Sequence, residues 1–219
     1  MIGALRKEIL LQWRTRAQAI AVFVFGATSL LLFSFAIGPN SAALRQHAAG
    51  FLWLALLLSS TLTLAESFHA EMEHRALEGL LLLPVSPRAI YYGKAIANWL
   101  QLALLGIALV PIMVVLYDAG TTQLLQLVFV ILLGTAGISA PGTLYSAMTS
   151  QTTRGKQMLL PLLLFPLIVP VLLAAARATS LIILGDPMTQ GGSWLRLLAA
   201  FDAIYWSLCG LLFDRVVED

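Results

Sequence analysis

Residues 18–37 read QAIAVFVFGATSLLLFSFAI, twenty positions without a charged side chain. At 1.5 Å per residue a helix of that length reaches about 30 Å, the thickness of a bilayer's hydrocarbon core. Backbone polar groups in lipid must satisfy one another, so a crossing segment is either a helix or part of a closed barrel. Barrel strands alternate apolar and polar residues over roughly ten positions. This run is continuously apolar, and it reads as a transmembrane helix.

Five further runs of the same kind follow, at about 48–65, 95–116, 123–146, 157–176 and 194–213. The composition agrees: 59% of the 219 residues are hydrophobic and 11% charged, where a soluble domain carries about 25% charged residues. Mean hydropathy is +0.88. The expected fold is an all-α integral membrane protein, a single six-span domain over 1–219. A net charge of +2 gives no case for nucleic-acid binding. Cys209, the only cysteine, excludes an intrachain disulfide.

Turn signals separate the runs: Gly38-Pro39-Asn40, Pro84 to Pro87, Tyr117-Asp118-Ala119-Gly120 and Gly185-Asp186-Pro187. Ser86 is placed as an N-cap with Pro87 at the first helical position, and Tyr91, Tyr92 and Lys94 as an interfacial belt. The fourth run concentrates small residues (Gly134, Ala136, Gly137, Ala140, Gly142) around Pro141, a pattern for close helix contact and a bend. Pro161, Pro166 and Pro170 predict a bent fifth span ending near Ala176. Leu181 to Leu184 is too short to cross and predicts a separate re-entrant or interfacial helix near 178–184. Residues 1–17 place Ile2, Leu5, Ile9 and Trp13 on one helical stripe, with Arg6, Lys7, Arg14 and Arg16 mostly elsewhere, as expected of an interfacial helix. No convincing cleavage site follows these charges, so the first run is expected to remain as a span.

Basic residues set the orientation. With the N-terminus inside, Arg6, Lys7, Arg14, Arg16, Arg75, Arg88, Lys94, Arg154, Lys156 and Arg215 are cytoplasmic, and Arg45, Arg177 and Arg196 are outside. Ten against three predicts both termini in the cytoplasm.

Enzyme signatures are missing. Neither Gly93-Lys94 nor Gly155-Lys156 completes a phosphate-binding loop, so any ATPase is another chain. His69, Glu71, Glu73 and His74 lack the H-E-x-x-H arrangement and read as a protein-facing surface rather than a metal site. No G-x-S-x-G occurs. His47, beside Arg45, could ligate iron, but a lone loop histidine reads as surface. Asp202 lies mid-span, where an ionisable group costs ~2.5–3.5 kcal/mol on insertion scales and marks a functional position. The alternative is a tilted helix or a polar partner on a neighbour.

The most informative segment is Glu66 to Leu83. Phe68, Met72, Ala76, Leu80 and Leu83 form one apolar stripe, and Glu71, His74, Arg75 and Glu78 a second, polar one. Glu71 and Arg75 stand in the favourable acid-first i,i+4 order. An amphipathic helix on the cytoplasmic face, so patterned, is expected to dock in a partner's groove.

At this segment the chain resembles the haem exporter protein B family, CcmB, the membrane subunit of the cytochrome c maturation ABC transporter. The likeness is carried by Ile37-Gly38-Pro39, Trp53, Leu57-Leu58-Ser59-Ser60, Phe68, Glu71, Leu77-Glu78, Leu82-Leu83-Pro84 and Gly93-Lys94. Leu132-Leu133-Gly134-Thr135, Ala140-Pro141-Gly142, Arg154-Gly155, Pro166 and Pro170 complete it. His74 and Arg75 depart from the family's acid and glycine. The resemblance implies an ABC-2-like six-span subunit whose coupling helix, 66–83, uses Phe68, Glu71, Leu77 and Glu78. It implies no catalytic residue and no resident cofactor or metal, haem as cargo, and ATP bound by a CcmA-like partner. CcmC-like and CcmD-like membrane proteins and a CcmE-like haem chaperone would be the other partners. The function expected is to couple ATP hydrolysis to haem delivery or to release of the haem-loaded chaperone. The alternative is an ABC-2-type exporter of a lipid, glycan or drug.

Overall fold

The computed structural model describes residues 16–73, 87–120, 123–150, 159–186 and 190–218. These form six helices: α1 (Arg16–Ile37), α2 (Ser41–Glu73), α3 (Pro87–Tyr117), α4 (Leu124–Ser150), α5 (Leu159–Leu184) and α6 (Gly191–Glu218). All six are long and apolar enough to cross a membrane, and no strand occurs among the described residues. The chain is an all-α integral membrane protein.

Helix ends follow the turn chemistry. Gly38 and Gly185 both adopt positive φ, and their amides donate to the carbonyls of Ser34 and Leu181 four residues back. A side chain at either position would strain the left-handed cap, so each helix stops there. Asn40 opens α2, its Oδ1 accepting from the Ala43 amide at 3.1 Å. Asp186 does the same for α6, its carboxylate accepting from the Gln190 and Gly191 amides at 2.8 and 2.6 Å. There it also meets the positive end of the helix dipole.

Helix α4 is central and packs on α2, α3, α5 and α6, while α1 lies against α2 and α3. Lipid supplies no hydrophobic drive between helices, so association depends on close packing and hydrogen bonds, which small residues permit. The glycines of α4 show this directly. Gly134 faces the Trp53 indole of α2, Gly142 faces Leu64, and Gly137 faces Val171 of α5 and Asp202 of α6. At each of them an added Cβ would collide with the facing side chain. Trp53 is 2% exposed and its Nε1 donates to Thr179 Oγ1 at 3.0 Å, tying α2 to α5. On the outside of the bundle, large apolar residues such as Phe35, Val115 and Leu125 are exposed; in water they would be costly, but here lipid is the solvent.

Three expectations are corrected. First, α5 does not end near Ala176 and no separate short helix follows. It runs unbroken to Leu184, because residues 171–184 contain no proline or glycine and exposed Arg177 is long enough to carry its charge outward. Pro161 is the third residue of α5, where a missing N–H costs no helical bond; Pro166 and Pro170 lie inside the helix without ending it. Secondly, the second span, expected at about 48–65, is part of a longer helix, α2. Its helix continues to Glu73, so the polar stretch 66–83 begins as a prolongation of the span. Thirdly, Tyr91 and Lys94 are not an interfacial belt: they are 0% and 2% exposed, inside the bundle. The expected interfacial helix at 1–17, apart from its last two residues, lies outside the described residues.

Close approach at Gly134 yields a direct test. Gly134→Ala should destabilise the protein by about 1–3 kcal/mol, the usual cost of overpacking. Trp53→Phe, which removes the ring atoms in contact, should restore part of that loss when combined with it. Strict additivity of the two substitutions in denaturant titrations of the solubilised protein would refute the contact.

Candidate functional site

Polar groups inside the bundle collect along two faces of α4. Toward α3, the Asn98 amide donates to Thr143 Oγ1 at 3.0 Å, Ser139 Oγ to the Ala95 carbonyl at 2.7 Å, and Tyr91 OH to the Ala140 carbonyl at 2.9 Å. Toward α2, Ser146 Oγ donates to the Leu64 carbonyl at 2.5 Å. Asn98, Ser139, Thr143 and Ser146 are all at most 2% exposed. Every one of these bonds joins a side chain to a neighbouring helix, so the seam is a fastening rather than a conduit.

The seam also surrounds the turn that holds Pro141, its bonds going to carbonyls beside that of Gly137, the one the proline leaves free. Proline has no N–H to give to the carbonyl four residues earlier, and a transmembrane helix tolerates it where neighbours reach the exposed backbone. Trp206 Nε1 donates to the Ala136 carbonyl at 3.2 Å, and Thr143 Oγ1 to the Ser139 carbonyl at 2.8 Å. With Tyr91 on Ala140, donors surround the proline's turn. In α5, Tyr205 OH donates to the Leu167 carbonyl at 2.8 Å, in the turn between Pro166 and Pro170.

Asp202 sits on the other side of α4. It is 9% exposed, and neither carboxylate oxygen has a hydrogen-bond partner among the described residues. Gly137 admits it: a Cβ at that glycine would lie 2.8 Å from Asp202 Oδ1. The acid is therefore buried where α4, α5 and α6 meet, not turned to the membrane surface by a tilted helix. A buried acceptor left without a partner is costly, and an ionisable residue within a span is by default a candidate functional position.

The remaining site residues fall elsewhere. Phe68 and Glu71 lie on the last turns of α2, and nothing of their side chains is described. Leu77 and Glu78 lie outside the described residues, as do His74 and Arg75. No group of three metal-ligating side chains occurs among the described residues.

One feature escaped sequence reading. At the end of the bundle that holds the α1–α2 turn, a cavity of about 410 Å³ opens between α2 and α5, with His47 and Phe51 on one wall and Leu173 and Arg177 on the other. A second, of about 410 Å³, continues past Arg177 toward Trp194 of α6. Arg45 does not enter them; its guanidinium donates to the Ile183 carbonyl at 3.2 Å, capping α5. His47 and Arg177 are 130 residues apart in sequence, and only the pairing of α2 with α5 brings them together. Buried Lys94 was also missed, although Tyr91, Lys94 and Asn98 stand at helical spacing on one face.

Comparison with known proteins places the chain. The sequence pattern of the CcmB protein family matches residues 1–215. Heme exporter protein B of Pseudomonas aeruginosa is 31% identical over 196 residues, covering 90% of this chain and 87% of that protein. The proteins of the same name from Rhodobacter capsulatus and Bradyrhizobium diazoefficiens are 36% and 29% identical over 146 and 195 residues. Those alignments cover 67% and 89% of this chain, and 66% and 87% of the two relatives. Six membrane-crossing helices and these bacterial relatives make it a multi-pass protein of the bacterial inner membrane. With the match running over almost its whole length, the chain belongs to the CcmB protein family.

Proposed function

We propose that this chain is the membrane subunit of an ABC transporter for cytochrome c maturation. It couples ATP hydrolysis by a CcmA-like partner to delivery of haem, or to release of a haem-loaded CcmE-like chaperone, alongside CcmC-like and CcmD-like membrane proteins. Family membership over residues 1–215 carries this reading. The chain contains no phosphate-binding loop of its own, so the energy comes from a partner. Haem is cargo, and no residue here is catalytic.

The contact with the ATPase is assigned to residues 66–83. The first eight of them prolong α2 without a break, which makes them a stiff extension of a span rather than a tethered loop. Phe68 and Leu77 supply apolar contact, and Glu71 and Glu78 pair with basic residues of the partner. Orientation follows the basic residues, with both termini cytoplasmic and Arg45, Arg177 and Arg196 outside. Asp202 is assigned a role in the transport cycle, since α6 carries it against the central helix without a partner among the described residues.

Single cysteines test the orientation. In a Cys209→Ala background, cysteines at Ser41 and Thr121 should react with an impermeant thiol reagent from outside, and those at Thr152 and Glu218 should not. Outside labelling of position 152 in intact cells would overturn the six-span arrangement proposed.

For Asp202, Asn and Leu separate function from packing. Replacing an unpartnered buried polar group by an apolar one of similar size is often neutral or stabilising. Asp202→Leu and Asp202→Asn should therefore accumulate normally in the membrane while cytochrome c yield falls several-fold. Normal yield in both would leave Asp202 without a role.

The coupling assignment is tested by Phe68→Ala and Glu78→Lys. Truncating a large aromatic at an interface centre commonly costs about 2 kcal/mol or more, and reversing a paired charge costs several kcal/mol. Both variants should stay in the membrane but recover less ATPase on co-purification, or hydrolyse ATP without supporting cytochrome c maturation. A helix lying on lipid predicts otherwise, because an added lysine suits anionic headgroups. Normal ATPase recovery, ATP turnover and cytochrome c yield in both variants would exclude this helix as the transmission element.

A further inference from the structure

The two joined cavities at the α1–α2 turn end have the chemistry of a site for a flat amphipathic anion. Part of their lining is apolar, from Leu54 of α2 and Leu173 of α5 to Trp194 of α6. Exposed polar side chains line them too: Gln46 and His47 of α2, Arg177 of α5, and Gln190. His47 lies on α2 and packs its ring against Phe51, 5.9 Å between centroids. Arg177 lies on α5, common to both cavities.

We propose that this groove is a docking site for haem on this chain, with His47 as an axial ligand to the iron and Arg177 as the clamp for a propionate. The proposal rests on the haem reading given above and adds a place for the cargo. Haem combines an apolar macrocycle, two carboxylates and an iron that takes an imidazole nitrogen. The groove offers the counterpart of each part. Arginine binds a carboxylate through two parallel N–H donors, which fixes orientation as well as supplying charge. Asp186 accepts from the amides of α6 and Arg45 holds the end of α5, which leaves Arg177 as the cation lining both cavities. An anionic phospholipid shares the apolar body and the charge, but has no use for an imidazole. His47 therefore decides between the two.

The full chain is reconstituted in nanodiscs of phosphatidylcholine, with and without phosphatidylglycerol, and titrated with ferric haem and with metal-free protoporphyrin IX. Wild type should bind haem with the absorption and paramagnetic signature of imidazole ligation in both membranes. His47→Ala should lose that signature yet bind metal-free protoporphyrin within about twofold of wild type. Arg177→Gln should weaken both porphyrins by about tenfold, as loss of one charge-assisted contact does, and Arg177→Lys should recover part of the loss. Both side chains are exposed, so neither variant disturbs the bundle. Unchanged spectra in His47→Ala, absence of haem binding by wild type, or binding abolished by phosphatidylglycerol would each overturn the site, the last assigning the groove to lipid. Cytochrome c yield after deletion of the gene reads the parent proposal separately. A yield lost on deletion but unaltered haem spectra in both variants would sink the groove alone, whereas an undiminished yield on deletion would sink the function.

Discussion

Close backbone approach at α4 is the constraint on which the rest of this bundle depends. In water a helix pair gains by hiding apolar surface, but lipid tails are as apolar as leucine and give no such gain. What remains is contact and hydrogen bonding at short range, and both require that the central helix present little side chain of its own. Gly134, Gly137 and Gly142 meet that need toward α2, α5 and α6. A large residue fills each recess: Trp53 opposite Gly134, Val171 with Asp202 opposite Gly137, and Leu64 opposite Gly142. The same closeness lets Ser139, Thr143 and Ser146 reach across to backbone and side chains of α2 and α3. Remove the small residues and the hydrogen bonds go with them, because their donors would stand too far away.

Proline and aromatic residues then fall into one scheme. Pro141 in the central helix would be a weak point if its turn faced lipid. Instead Tyr91 and Trp206 bring O–H and N–H groups to the Ala140 and Ala136 carbonyls from α3 and α6. Tyr205 donates to a carbonyl of α5 between its two internal prolines. Aromatic residues with a polar tip suit this task, since the ring fills apolar space while the tip finds a partner. They serve here inside the bundle, which explains why Tyr91 is wholly buried although its place near a helix start suggested the membrane surface.

Much of this was legible in the sequence, and what was not has physical causes. Six spans follow from apolar run length alone, since lipid leaves the backbone few choices. The small residues of the fourth span announced close helix contact there. The end of α5 was misplaced because Arg177 looked like a boundary, whereas a long side chain can carry its charge out of an intact helix. The end expected for the second span at Ala65 reflected a change in composition, which a helix does not register when no proline or glycine intervenes. Burial of Lys94 and Tyr91 depends on which way α3 is turned in the bundle, and periodicity in an almost uniformly apolar helix says little about that. The groove was beyond reach altogether, for nothing in the chain links His47 to Arg177 until α2 and α5 pack.

The two proposed ends of activity converge on α2. That helix is 33 residues long without a proline, about 50 Å. Near one end it carries His47 in the groove wall; near the other it carries Phe68 and Glu71, proposed to meet the ATPase. Roughly 30 Å of helix separates His47 from Phe68. Between them, Trp53 is fixed to Gly134 and Thr179, and Leu64 to Gly142 and Ser146. A helix held so firmly in the middle does not bend freely at one end alone. It transmits force by shifting as a body against α4 and α5, or by exchanging one set of recesses for another, since packed interfaces are bistable rather than continuously deformable. The facing wall of the groove is α5, and the fastening of Trp53 to Thr179 is the bond that any such shift must break or carry along. If partner closure moves α2 relative to α5, the spacing between His47 and Arg177 changes with it, and a ligand held by both loses one of its two attachments. Coupling of this kind needs no pathway through the core beyond the helix itself, only a difference in how well the groove fits its ligand in the two arrangements.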